Sequence, residues 1–167
     1  MQLSLSVRIA EEFLSKEKAS IPLVELAPLA KRCGYDSICM RASQLGVQSS
    51  PEEVEAASVC LNENDLTVSM VTGDFDTVYN NDKGPSALAN ITPYLDLAQQ
   101  LRAPRIRVAL KKESDIVDAR LASDEAAERG IQLVHQCHTL SLFETVGSIE
   151  STLKAIDRPN FGFVYEP

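Results

Sequence analysis

The sequence predicts an α/β protein, a (β/α)8 TIM barrel that is incomplete in this chain, with about six parallel strands and five helices. Three observations lead there. Strand-like and helix-like segments alternate with a beat of roughly thirty residues, the length of a βαβ unit. Each strand-like run alternates apolar with polar or small residues, so its two faces differ. Polar side chains thicken toward the C-terminal end of each run, where barrels of this kind keep their chemistry. A doubly wound sheet would instead bury both faces and show continuous apolar runs.

The strand-like runs begin near Leu3, Ser37, Thr67, Arg105, Ile131 and Phe161. In the first, Leu3, Leu5, Val7 and Ile9 share the face turned to the helices, opposite Ser4, Ser6 and Arg8. In the second, Ile38 and Met40 oppose Ser37, Cys39 and Arg41. In the third, Val68 and Met70 oppose Thr67 and Ser69. Ile106, Val108 and Leu110 oppose Arg105, Arg107 and Ala109 in the fourth, and Ile131 and Leu133 oppose Gln132 and Gln136 in the fifth. In the sixth, Phe161, Phe163 and Tyr165 oppose Gly162, Val164 and Glu166. The small and polar set would line the barrel.

Between the strands, "IPLVELAPLAKRCG" places Leu23, Leu26, Ala30 and Cys33 on one helical face and stops at Gly34. "SPEEVEAASVCLNEN" has Ser50 as N-cap, Pro51 at the first position and Glu53 closing a capping box. "PSALANITPYLDLAQQLRA" repeats Leu88, Ile91, Leu95 and Ala98, and its Pro93 predicts a kink or a late start. "ESDIVDARLASDEAAERG" ends at Gly130. "SLFETVGSIESTLKAID" carries Ile149, Leu153 and Ile156, with Ser141 and Glu144 spaced as a capping box in front of it.

A chain of 167 residues with 44% hydrophobic and 24% charged residues can bury a real core. The net charge of -8 with no Lys/Arg run argues against nucleic acid or an anionic membrane as partner. Cys33, Cys39, Cys60 and Cys137 form no CxxC pair and read as reduced thiols of a cytoplasmic protein. The start "MQLSLSVRIA" is too short and too alternating for a signal peptide, and no apolar run approaches a membrane span. A complete barrel takes about 250 residues. Residues 1–167 therefore read as one barrel domain cut after its sixth strand, with two raw parallel edges. Either the chain is a piece of a longer protein or another copy covers those edges, which points to a homo-oligomer.

The strand ends collect Arg8, Arg41, Ser69, Arg107, Gln136, His138 and Glu166. Three arginines in one mouth either pair with nearby carboxylates or hold an anionic substrate group, phosphate or carboxylate, in their guanidinium forks. Both histidines and one cysteine fall in "VHQCHTLSLFET", which suggests a metal cluster. Period two splits it: His135 and Cys137 turn toward the helices, while Gln136 and His138 turn toward the barrel. The connection "TGDFDTVYNNDKGP" is long and carries Asp74, Asp76, Tyr79, Asn80 and Asn81, as a lid or a solvated loop would.

"GIQLVHQCHTLSLFET" followed by "AIDRPNFGFVYEP" resembles the fifth and sixth strand units of the xylose isomerase-like TIM barrels, the sugar phosphate isomerase/epimerase superfamily. "LAKRCGYDSICMR" and "LDLAQQLRAPRIRV" fit the same pattern upstream, so the resemblance covers essentially the whole chain. It implies a divalent metal (Mn, Mg or Zn) held by acidic residues and a histidine at the ends of strands five to eight. It also implies proton transfer next to a carbonyl. The strand-five ligand falls on Gln136 and the strand-six ligand on Glu166, with His138 or Glu166 as acid/base; both ligand positions depart from the family's Glu and Asp. A neutral amide is a weaker ligand and cannot act as a base. The implied function is a sugar or sugar-phosphate isomerase or epimerase with an Arg-lined pocket for an anionic carbohydrate. The alternatives are a non-catalytic carbohydrate-binding barrel and a metal-independent lyase or dehydratase. A DNA-repair endonuclease, also found in the superfamily, conflicts with the acidic charge.

Overall fold

Six parallel strands pair in chain order, and helices cover one face of the sheet they make. The computed structural model describes residues 2–13, 15–72 and 82–165. The elements are β1 (Ser4–Ser6), α1 (Leu23–Arg32), β2 (Ser37–Met40), α2 (Pro51–Glu63), β3 (Thr67–Val71), α3 (Ser86–Ala89), α4 (Thr92–Gln100), β4 (Arg105–Val108), α5 (Asp115–Glu128), β5 (Gln132–Gln136), α6 (Val146–Ile156) and β6 (Phe161–Val164). β1 and β6 are the outer strands, so the described sheet is open, and this is the (β/α) architecture the alternation predicts.

The core lies between the sheet and the helices. Ile38, Met40, Ile106, Val108, Leu133 and the helix-facing Leu26, Val54, Leu61, Leu95 and Ile156 are all buried in one cluster. Removing such apolar surface from water stabilises by about 25 cal/mol per Å2. α5 meets the sheet through Ala119, Ala122 and Ala126, whose small side chains let the helix approach closely.

Local signals act as the sequence implies. Ser50 and Glu53 cap α2 reciprocally, Ser50 Oγ accepting the Glu53 amide at 3.2 Å and Glu53 Oε2 the Ser50 amide at 2.7 Å. Gly34 and Gly130 end α1 and α5 at φ +84° and +67°, where a Cβ is disfavoured. Pro93 sits in the first turn of α4 and separates it from α3, which is the late start.

Five expectations are corrected. β1 ends at Ser6 because Ser6 Oγ accepts the Arg8 amide and caps a 3-10 turn over Val7–Ala10. Ile9 is consequently 72% exposed rather than core, and Leu3 is also exposed. In β3 a bulge opposite Ile38 and Cys39 inserts one residue, so Cys39 pairs with Met70 and Met40 with Val71. One extra residue exchanges the faces beyond it. Val71 rather than Met70 therefore enters the core, fully buried. Cys33 follows the last turn of α1 and is exposed. On β6 only Phe161 is buried; Phe163 is exposed on this outer strand and Tyr165 just past its end. Finally, α6 is capped by Thr145 and Ser148, not by Ser141 and Glu144. Those two fold the preceding loop instead, Ser141 Oγ accepting the Phe143 amide and Glu144 Oε2 the Leu140 amide.

Candidate functional site

The face of the sheet away from the helices is polar, and its chemistry gathers at the C-terminal ends of the strands. Ser4 and Ser69 meet at 2.6 Å, and because Ser69 Oγ also donates to the Ile38 carbonyl, Ser4 is the donor of the pair. Ser69 thus ties β1, β2 and β3 together, with its one hydroxyl proton spent on the backbone. Cys39, between them on β2, is hydrogen-bonded by Ser6. Burial pushes its thiol pKa up, against the opposing charges of Arg107 and Arg41.

Arg41 is buried at the end of β2, 4% exposed. Its Nε donates to Glu11 Oε1 at 2.8 Å, and the Ser43 hydroxyl donates to the same oxygen at 3.1 Å. The pairing alternative therefore holds for Arg41, through a carboxylate the sequence reading did not single out. Its Nη2, however, is buried without a hydrogen-bond partner among the described residues. Arg107, half-buried on β4, lies close enough for its charge to act on both Cys39 and Lys16. Arg8 is not on a strand: it is exposed on the 3-10 turn.

Lys16 joins this group although no spacing pointed to it. The segment from Glu11 to Ala19 closes on itself through a bridge between those two residues. Inside it the Glu12 amide donates to the Lys18 carbonyl, and Ser15 Oγ accepts the amides of Glu17 and Lys18. Burial lowers the Lys16 pKa first, then the positive charges of Arg41 and Arg8, with Glu11 opposing and Arg107 adding a smaller push. The only available sequence signal is its place in the first βα loop, on the face where barrel enzymes act.

β5 splits the His/Cys stretch as period two requires. His135 faces the helices, 2% exposed, stacked on Phe143 at a centroid distance of 4.4 Å and 4° between planes. Its Nδ1 donates to the Gln136 carbonyl at 2.5 Å. Burial pushes its pKa down to about 4, outweighing the backbone hydrogen bonds of Gln136 and Leu110. Cys137 is half-buried. Gln136 ends β5 in register with Val164, half-buried on the barrel side. His138 lies beyond the strand and is exposed; its amide donates to the Phe143 carbonyl and its Nδ1 lies 2.9 Å from the Thr139 carbonyl. Glu166, and Asp74, Asp76, Tyr79, Asn80 and Asn81 of the long connection, lie outside the described residues.

His135 makes acid stability a direct readout of this packing. Above pH 6.5 it is neutral in both states. Between 6.5 and about 4 the unfolded chain binds a proton that the native state refuses, so stability falls as pH falls through that window. The loss amounts to about 3 kcal/mol. Urea unfolding from pH 7 to 4 is expected to show it in the wild type and to lack that component in His135→Leu. Equal slopes in the two proteins would reject it.

Three or more His, Cys, Asp or Glu side chains converging as a metal site are absent among the described residues. The strand-five position offers an amide on a face that also carries Arg107, so the described residues by themselves do not fit a divalent cation.

No protein-family model matches the chain, and no curated protein does. Solved structures do. The chain superposes on the probable 3-DHS dehydratase AsbF of Bacillus anthracis with a TM-score of 0.71 and 18% identity, covering 98% of this chain and 62% of that one. It superposes on a xylose isomerase-like TIM barrel protein of Mycobacterium smegmatis, in complex with magnesium, with a TM-score of 0.75, 14% identity and coverage of 97% and 63%. A D-allulose 3-epimerase of Methylomonas sp., in complex with D-allulose, gives 0.65, 15%, 96% and 60%. The chain thus has the xylose isomerase-like barrel fold and spans about three-fifths of the length of these structures.

Proposed function

We propose that this chain, with the xylose isomerase-like barrel fold, forms the strand-one-to-six side of a sugar or sugar-phosphate isomerase or epimerase. In this reading it moves a proton at the carbon next to a carbonyl of an anionic carbohydrate. The supporting observation is the cationic lining of the C-terminal mouth: Arg41 and Arg107 on a polar sheet face in a fold whose solved examples include an epimerase bound to its sugar. His138 and Glu166 are the candidate acid and base, and Arg8, Arg41, Ser69, Arg107 and His138 the candidate substrate contacts. The barrel domain is taken to continue beyond the sixth strand or to be completed by a second copy, since β1 and β6 are the outer strands here. No helix among the described residues is long and apolar enough to cross a membrane. A cytoplasmic setting is part of the proposal.

The test is deuterium incorporation from D2O next to the carbonyl of acidic sugars and sugar phosphates, followed by NMR. Exchange with formation of the isomer is expected. Saturable sugar binding with no exchange in any substrate would replace the enzyme with a carbohydrate-binding barrel. A second reading, a dehydratase, is favoured by Gln136, which removes a carboxylate from the site, and by the dehydratase among the similar structures; loss of water from the substrate would select it.

A divalent metal belongs to this proposal through Gln136 and Glu166. When bound, such an ion would polarise the substrate's oxygens. Glu166→Ala is expected to weaken Mn2+ or Mg2+ binding in calorimetry by about tenfold or more. Unchanged affinity would remove Glu166 as a ligand.

A further inference from the structure

We infer that Arg41, Arg107 and Lys16 form a subsite for an oxyanion, a carboxylate or a phosphate group, with the Glu11–Ala19 loop carrying Lys16 over it. The inference deepens the proposed function and rests on it for the identity of the molecule that bears the anion.

A guanidinium presents five donors in a rigid fork, and a buried charged donor without an acceptor costs more than the bond it lacks. Glu11 does not supply that acceptor. Its Oε1 already receives Arg41 Nε and the Ser43 hydroxyl, and among the described residues Nη2 has no partner. The Glu11 contact fixes the guanidinium and leaves one of its edges unused. Such an edge matches carboxylate and phosphate oxygens in geometry and charge.

The surroundings select the same ligand. Lys16 is held by a turn closed at both ends: the Glu11–Ala19 bridge, the Ser20 amide on the Ala10 carbonyl at 2.7 Å, and the two amides on Ser15 Oγ. The charges felt by Lys16 come from Arg8, Glu11, Arg41 and Arg107. Those residues follow β1, end β2 and lie on β4, so the ammonium group sits above the mouth and not out over the helices. Cations brought together in a chain of net charge -8 repel one another, and a bound oxyanion relieves that repulsion. The loop is the first βα connection, on the side where (β/α)8 proteins bind ligands.

Binding can be read without turnover. The whole chain is titrated by calorimetry with inorganic phosphate and, separately, with acetate, against chloride at matched ionic strength. At least one oxyanion is expected to bind saturably, and the tighter of the two assigns the group. Lys16→Gln is expected to weaken it about tenfold. Lys18→Gln, an exposed residue of the same loop, is expected to leave it unchanged. Arg41→Lys keeps the charge, removes the fork and is expected to weaken binding as well; its folding is checked by circular dichroism. Saturable binding in a protein that turns over no sugar supports the subsite while the enzymatic reading fails. No binding above chloride, or equal losses in Lys16→Gln and Lys18→Gln, overturns the subsite whatever the protein catalyses.

Discussion

Replacing Glu11 with alanine is expected to lower the unfolding free energy by about 3–5 kcal/mol. The two side chains of the Arg41–Glu11 pair are 5% and 6% exposed, and their contact is 2.8 Å. Taking away the carboxylate leaves a guanidinium buried with Nε as well as Nη2 short of an acceptor, and deprives the Ser43 hydroxyl of its own. The pair is costly to break for a different reason than it is useful to keep. Burying two charges already costs several kcal/mol per ion, and a well-packed apolar pair of similar size is often as stable or more so. The double replacement Glu11→Leu with Arg41→Met is therefore expected to recover most of the single variant's loss, a coupling that a double-mutant cycle in urea measures. Recovery would show that stability does not require this ion pair, leaving its role to the mouth of the sheet. A Glu11→Ala loss below about 1 kcal/mol would mean that water screens the pair as it does at a surface.

Phe143→Ala is expected to cost about 3–5 kcal/mol, the range for emptying an aromatic site in a core. Phe143 is fully buried although it belongs to a loop, lying flat on His135 and 6.3 Å from Phe161. Its backbone holds the loop too: its amide donates to Ser141 Oγ and its carbonyl accepts the His138 amide. Truncation removes the side chain that pins residues 137–144 to β5 and β6, so the orientation of His138 should loosen along with the loss of stability. Phe143→Leu retains most of the volume and is expected to lose far less. Urea unfolding of the two variants separates the volume effect from the ring; a Phe143→Ala cost under about 1 kcal/mol would mean that the loop packs without it.

The candidate site was legible in the sequence to different degrees. Arg41 and Arg107 are brought near one another, Gln136 reaches the barrel side, and His135 turns away from it, because a strand's period of two leaves little freedom. Arg8 was misplaced because a single serine hydroxyl, Ser6 Oγ, diverts the chain into a 3-10 turn where alternation alone would extend the strand. Met70 was assigned to the core because a bulge leaves no mark in the alternation of "TVSMV"; it arises only when β3 is laid against β2. Ser141 and Glu144 have the spacing of a capping box, and Thr145 with Ser148 has the hydroxyl pair that actually caps α6. The spacing pointed to the first pair alone, and in the structure its two side chains hold the loop over the buried Phe143 instead. Lys16 and Glu11 carry no motif at all.

What the sequence by itself determined is the order of strands and helices, the parallel barrel architecture, the sidedness of most strands and the polar character of the inner face. These follow from interactions between residues a few positions apart, whose periodicity is written in the chain. Only the tertiary structure decided that Glu11 would satisfy half of Arg41, that the first loop would bring Lys16 to Arg107, and that His135 would stay neutral against Phe143. The first two join residues from different strand units and the third folds a loop back onto its own strand, all through burial and charge that depend on distance in space and leave no period along the sequence.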